Sequence, residues 1–229
     1  MDLKNFLLKT LKKHIISYKS WSTSSVITKP NLPLIEDERL VRIFTHLIGD
    51  GYGGGIYDKS DGTKFYILPT YTNTSPDLIK EFISDLKIFG NVPFNKRYGY
   101  SKNKQYEKVL IPLSIKYILE HIYEVELSAS RGRLPKRFFT MNKSLKYQVM
   151  KAFCDDEGTV QDNGIVISSS NKKQLEDFNK LMITIGFKSK FITNVKLGIR
   201  NTYSLKFYGD NFIFYGKFIG LVHPEKMDT

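Results

Sequence analysis

The sequence predicts an α+β fold in which one arrangement (helix, two strands, helix, two strands, helix) is used twice. Three observations predict it. ERLVRIFTHLIGDGYGG (38–54) and NKSLKYQVMKAFCDDEG (142–158) both read as a helix running into acid and then glycine. A later helix in each half stops on a glycine eight residues past a phenylalanine, Phe82 to Gly90 and Phe178 to Gly186. β-rich runs flank that later helix on both sides.

Each element has its local reason. In the first helix Val41, Phe44, Leu47 and Ile48 form the apolar stripe, Asp50 takes the last turn and Gly51 ends it. TKFYILPTYTNT follows as strand. The spacing from Asp50 to Phe82 exceeds that from Glu157 to Phe178, so GYGGG and DKSDG are expected to extend a hairpin. SPDLIKEFISDLKIFG is the next helix, with Ser75 as N-cap and Pro76 at the first helical position. NVPFNKRYGY and QYEKVLIP are strands, and a closing helix is expected near 113–123.

The second half opens at Asn142 or Ser144, with Leu145, Val149, Ala152 and Phe153 at helical spacing. Gly158 is the expected stop, free to turn left-handed. TVQDNGIVISSS reads as a hairpin about Asn163-Gly164. Ser170 or Asn171 opens a helix that stops at Gly186; KSKFITN and NTYSLKFYG are strands, and a closing helix lies near 210–219. The expected organisation is a basic extension (1–37), a first half (38–125), a linker (126–143) and a second half (144–229).

Composition bounds the function. At 229 residues and 41% hydrophobic, the chain can bury a core. No apolar run approaches the roughly 18–20 residues that span a bilayer. FLL near the start is too short for a secretory signal, so the expectation is an intracellular protein of a prokaryotic cytoplasm or an organelle. Cys154 stands alone, which excludes an internal disulfide framework and a cysteine-rich zinc site. His14, His46, His121 and His223 are scattered singly and read as structural.

Charge is more telling. The formal net charge is +12, spread along the chain and interleaved with aromatics in NKRYGYSKNKQYEK (95–108) and GRLPKRFF (132–139). That is the footprint of a polyanion binder. LKNFLLKTLKKHIISYK forms a basic amphipathic helix with Leu3, Phe6, Leu7, Leu11 and Ile15 on one face, suited to an acidic membrane surface or to docking on its own domain.

Acids are mildly unfavourable at a helix C-terminus. Here they recur as a duplicated pair, Asp50 and Glu157, each directly before a glycine. If two equivalent helices meet side by side about a pseudo-twofold axis, the acids approach. Two carboxylates about 4 Å apart repel by roughly 4 kcal/mol at an effective dielectric of 20. A cation between them relieves this, and hard oxygen ligands suit Mg²⁺.

FTHLIGDGY and MKAFCDDEG resemble the two motifs of the single-chain LAGLIDADG homing endonucleases. The resemblance covers about residues 38–226, including the closing segment FIGLVHPEK (218–226). It implies two αββαββα halves whose antiparallel sheets form a saddle over DNA, with the motif helices at the central interface. It implies that Asp50 and Glu157 are catalytic, one per scissile phosphate, and that they hold Mg²⁺ (or Mn²⁺) together with the carbonyls of Gly49 and Asp156. Ca²⁺ is then expected to support binding without cleavage. Asp155 falls on the motif's earlier acid position, which Ile48 fills in the first motif. The resemblance also implies short 3′ overhangs from a long asymmetric site, made by a monomeric, intron-encoded enzyme.

The family pattern adds a basic residue near each metal. Lys206 is the candidate in the second half; the aligned first-half position is Leu110, with Lys108 two residues earlier. DNA contacts are expected from Lys59, Lys64, Lys96, Arg97, Tyr98, Lys102 and Lys104 in the first half. Gln161, Lys188, Lys190, Lys196 and Arg200 are their second-half counterparts, and Arg131, Arg133 and Lys136 are the linker's. Two alternatives use the same fold: a maturase binding intron RNA, and a regulator that binds DNA without cutting.

Overall fold

The computed structural model describes residues 15–20, 25–101, 104–128, 131–161, 164–197, 200–210, 213, 215, 216, 219 and 220. Among these, no helix is long and apolar enough to cross a membrane. Most of the expected amphipathic helix of residues 3–19 lies outside them, but its end is not helical: Ser17–Tyr18 form a strand, held by pairing with Ile27–Thr28.

The described part of the extension is docked on the first half. Strand β1 (Ser17–Tyr18) pairs with β2 (Ile27–Thr28), and Thr28 bridges to Asn91. Ile27 is fully buried, and Asn31 donates its side-chain amide to the Lys87 carbonyl at 2.7 Å.

Helix α1 (Glu38–Ile48) starts on Asp37, whose carboxylate accepts from the backbone of Arg39 and Leu40. Strands β3 (Gly51–Tyr52), β4 (Gly55–Asp58), β5 (Lys64–Ile67) and β6 (Thr70–Asn73) follow. Pairing of β4 with β5 as far as Asp58 and Lys64 makes the expected longer hairpin. Helix α2 (Pro76–Asp85) is capped by Ser75, then β7 (Asn95–Ser101), β8 (Lys104–Leu110) and α3 (Leu113–Tyr123) complete the half.

The second half repeats the order: α4 (Lys143–Glu157), β9 (Gly158–Gln161), β10 (Gly164–Ser169), α5 (Lys172–Thr184), β11 (Lys190–Leu197) and β12 (Arg200–Tyr208). Asn142 caps α4 and Asn171 caps α5. The closing helix is described only at Asp210, Ile213, Tyr215 and Gly216. One sheet runs β3-β6-β8-β7 and the other β9-β10-β12-β11, so both place their strands first, second, fourth, third. All pairings are antiparallel.

Helices α1 and α4 pack against each other at the centre. Arg42 of α1 donates to Gln148 of α4 at 2.8 Å, and Ser144 of α4 to Glu38 of α1 at 3.1 Å. Phe138, in the 3₁₀ turn Lys136–Phe139 of the linker, packs edge-on against Phe44 and Tyr123. Such aromatic pairs contribute about 0.5–1.5 kcal/mol each beyond their burial. They fasten the linker to the first half.

The glycines after the acids work differently from the sequence expectation. Gly158 is extended, with φ −85° and ψ 150°, and opens β9 rather than turning left-handed. A Cβ there would stand 2.4 Å from the Cys154 carbonyl oxygen; at Gly51 it would stand 2.3 Å from that of Leu47. Both glycines let a strand leave its helix at contact distance from the last turn. Asp50 accordingly lies just past α1, which ends at Ile48, whereas Glu157 is the last residue of α4.

Candidate active site

The ends of α1 and α4 open into a cavity of about 440 Å³. Asp50 and Glu157 both line it, with Thr72, Asn73, Thr74, Tyr106, Asp155, Asp156, Gly158 and Thr159. Two acids far apart in sequence thus share one space, and no lysine or arginine stands among its lining residues. Asp50 is exposed and Glu157 half-buried.

Asp156 is the least expected member. The resemblance assigned it a carbonyl only, but its carboxylate is wholly buried and crosses into the first half. His46 Nδ1 lies 2.9 Å from Oδ2, and the Tyr71 hydroxyl donates to Oδ1 at 2.7 Å. Asn73 donates its side-chain amide toward Oδ1 at 3.4 Å and to Asp50 Oδ2 at 3.1 Å. Gly49 makes the room, since a Cβ there would stand 2.9 Å from Asp156 Oδ2.

His46 is fully buried, which by itself would lower its pKa. The charge and hydrogen bond of Asp156 outweigh that and hold it raised. Burial, then Asp156, push the Tyr71 hydroxyl far above its ordinary value, so it stays a donor. Asp155, by contrast, keeps its buried carboxylate on its own side, 3.9 Å from Lys151.

Sequence reasoning missed His46, Tyr71 and Asn73. One signal was available: FCDDEG carries an acid where FTHLIGDG carries Gly49, and a charged side chain at a glycine position of a helix contact needs a partner.

The predicted basic residues lie outside the cavity. Lys108 rests 5.4 Å above the ring of Tyr106, which lines it. Lys206 pairs in register with Val166 and Lys190, one line across the sheet from Thr159. Gly51 pairs with Tyr71 and Tyr71 with Val109; Gly158 pairs with Ile167 and Ile167 with Leu205. The next residues along the last strands are Leu110 and Lys206, which are therefore register counterparts.

Register also sorts the first-half DNA candidates. Arg97 pairs with Lys108, which pairs with Thr72, so Arg97, Lys108 and, an even number of residues away along the same strand, Tyr106 and Lys104 share the cavity's face. Lys96 pairs with the buried Val109 and Tyr98 with Glu107, on the opposite face. Lys96 is also ion-paired to Glu107 at 3.0 Å. Lys59 and Lys64 are exposed at the tip of the β4–β5 hairpin. In the linker Lys136 is exposed, Arg131 meets Glu126 at 2.8 Å, and Arg133 makes a two-pronged bond to Asp177 at 2.5 and 2.6 Å. Lys188 is exposed. Lys102 lies outside the described residues, as do the side chains of Gln161, Lys190, Lys196 and Arg200.

Solved structures share this arrangement. I-DmoI in complex with DNA and Mn superposes with a TM-score of 0.60 at 18% identity, over 80% of this chain and 96% of that one. The fold is that of the LAGLIDADG homing endonucleases. Two further likenesses sit within it. I-DmoI G20S, solved with its target DNA and Mg, gives 0.58 at 17% identity, covering 80% and 98% of the two chains. The N-terminal LAGLIDADG domain of DUF199/WhiA gives 0.50 at 12%, covering 87% and 90%. No protein-family model and none of the curated proteins matches the sequence.

The LAGLIDADG frame implies a divalent cation. The donor set fits one: Asp50 and Glu157 bring hard carboxylate oxygens to a cavity with no basic side chain in its lining. Among the described residues no group of three or more His, Cys, Asp or Glu is placed to ligate a metal by itself. Phosphate and water oxygens would have to complete a shell begun by Asp50 and Glu157.

Proposed function

We propose that this chain is a site-specific double-strand DNA endonuclease that hydrolyses one phosphodiester in each strand of a long asymmetric site. One observation carries the reading: Asp50 and Glu157 converge on one cavity, at the ends of the two helices that join the halves. A single chain then supplies both cutting centres and acts as a monomer.

Asp50 and Glu157 would hold divalent metal, with the carbonyls of Gly49 and Asp156 as further donors. When bound, it supplies charge stabilisation at the phosphate and a lowered pKa for water. The chain's own residues orient. Asn73 fixes the Asp50 carboxylate through its amide, and the threonines of the cavity wall offer hydroxyls to water. Water attacks phosphorus and the bond to the 3′ oxygen breaks, leaving a 5′ phosphate and a free 3′ hydroxyl. No protein nucleophile is needed. Arg97, Lys104 and Lys108 continue the cavity's face outward to meet phosphates.

A second reading, DNA binding without cutting, has the WhiA-domain likeness on its side. Both are tested by incubating the chain and an Asp50→Asn/Glu157→Gln variant with DNA spanning the intronless allele, in Mg²⁺ or Ca²⁺. The nuclease reading expects cleavage with short 3′ overhangs in Mg²⁺, binding alone in Ca²⁺, and a double variant that binds without cutting. Binding without cutting by the unaltered chain in Mg²⁺ and Mn²⁺ would favour the second reading. Near wild-type cutting by the double variant would remove both acids from the site. Intron RNA bound in preference to that DNA would point to the maturase.

A further inference from the structure

The carboxylate of Asp156 belongs to the second half by sequence and to the first half by contact. His46 comes from α1, and Tyr71 and Asn73 from β6. His46 Nε2 has no hydrogen-bond partner among the described residues, so the imidazole is oriented through Nδ1 and Asp156. Asp156 directly precedes Glu157. Across the interface it leans over Gly49, which directly precedes Asp50, and shares Asn73 with Asp50 itself.

We propose that Asp156 is a positioning residue that couples the two acids, setting Glu157 through the backbone and Asp50 through Asn73 and Gly49. Its place in cleavage rests on the endonuclease reading; the coupling rests on geometry alone. Each acid lies one residue or one hydrogen-bonded side chain from the same buried carboxylate. A shift of Asp156 therefore reaches both acids, through the backbone on one side and through Asn73 and Gly49 on the other. Hydrogen bonds at 2.7 and 2.9 Å from two buried ring systems hold that carboxylate from opposite oxygens. His46, Tyr71 and Phe82 also pack against one another, which fixes the donors.

The test compares Asp156→Ala, Asp156→Asn and Tyr71→Phe in the full chain. Tyr71→Phe keeps the ring packing and removes one donor, so it remains informative should Asp156→Ala fold poorly. In single-turnover cleavage at saturating protein and Mg²⁺, Asp156→Ala is expected to slow both strands by the same factor. That factor is on the order of 10²-fold, the effect of misplacing reacting groups by about 1 Å. DNA affinity in Ca²⁺ should stay unchanged. Asp156→Asn, which keeps an acceptor for Tyr71, should recover most of the rate, and Tyr71→Phe should slow both strands more mildly. Slowing of one strand only, or of neither, would overturn the coupling.

A second readout needs no cleavage. Amide exchange in metal-free protein should quicken at Gly49–Gly51 in Asp156→Ala while β7 and β8 exchange as before. Unchanged exchange at Gly49–Gly51 would overturn the proposal even if the rates fell. Should the unaltered chain cut no DNA, the endonuclease reading fails, and exchange alone decides the coupling.

Discussion

Leu110 holds in the first sheet the register position that Lys206 holds in the second. On the endonuclease reading the two centres therefore differ in where a lysine stands: the second has Lys206 at this position, while the first has Leu110 there and Lys108 two residues earlier on the same face. A nicked intermediate is expected to accumulate in single-turnover cleavage. Lys206→Met should slow the faster strand and shrink that intermediate. Simultaneous cutting of both strands by the wild-type chain, unaffected by Lys206→Met, would leave this lysine as a plain phosphate contact.

The acids should separate by strand. Glu157→Gln and Asp50→Asn each keep size and hydrogen bonding while removing the charge that holds metal. If each serves one scissile phosphate, the two variants nick opposite strands, which labelled duplexes resolve on a denaturing gel. If one cation is shared, either change lowers both cuts together. Undiminished double-strand cutting by either variant contradicts both forms.

The His46–Asp156 pair sets a pH dependence for the metal-free fold. The folded pKa of His46 is raised, so protonation favours the folded state. Its contribution is complete below the unfolded value of about 6.5 and is lost as pH rises through the folded value. Asp156, Asp155 and Glu81 are the acids that act on it, with the neutral Tyr71 hydroxyl beside them. Urea unfolding of wild type and His46→Gln should show a stability gap that narrows with rising pH. A gap that widens would mean the imidazole is buried neutral.

Docking of the extension predicts a role in stability rather than in chemistry. Ile27→Ala empties a fully buried site and should destabilise the chain by about 2–5 kcal/mol in urea. Metal-dependent cleavage at low temperature should persist. Its complete loss in a folded variant would place the extension in the active site.

Much of this molecule can be read from its sequence because the repeat doubles each weak signal. A single GDG or DEG says little; two of them, each before the same strands and a glycine-ended helix, locate Asp50 and Glu157. Alignment of YSLKFYG with YEKVLIP likewise makes Leu110 and Lys206 counterparts before any coordinates. What stayed hidden depends on the other half of the chain. His46 looks like an isolated histidine until α4 brings Asp156 against it, and Asn73 looks like an ordinary strand residue until Asp50 stands 3.1 Å away. Gly158 fits a left-handed stop by local rule, but the constraint is the Cys154 carbonyl that a Cβ would strike. The register sets Arg97 and Lys96 on opposite faces, a division that a run of basic residues does not show.

The buried pair between α1 and α4 also bears on ancestry and on engineering. By the motif alignment, Phe153 is the counterpart of His46, and Gly49 that of Asp156. Two copies of the second half, assembled alone, would press each Asp156 against a phenylalanine. Two copies of the first half would leave each His46 facing a glycine. A buried charge deprived of its partner destabilises by about 3–5 kcal/mol, so pairing of the two unlike halves is expected to be favoured over pairing of like ones. Hybrids that splice one of these halves to a foreign one will assemble well only if the missing histidine or aspartate travels with it.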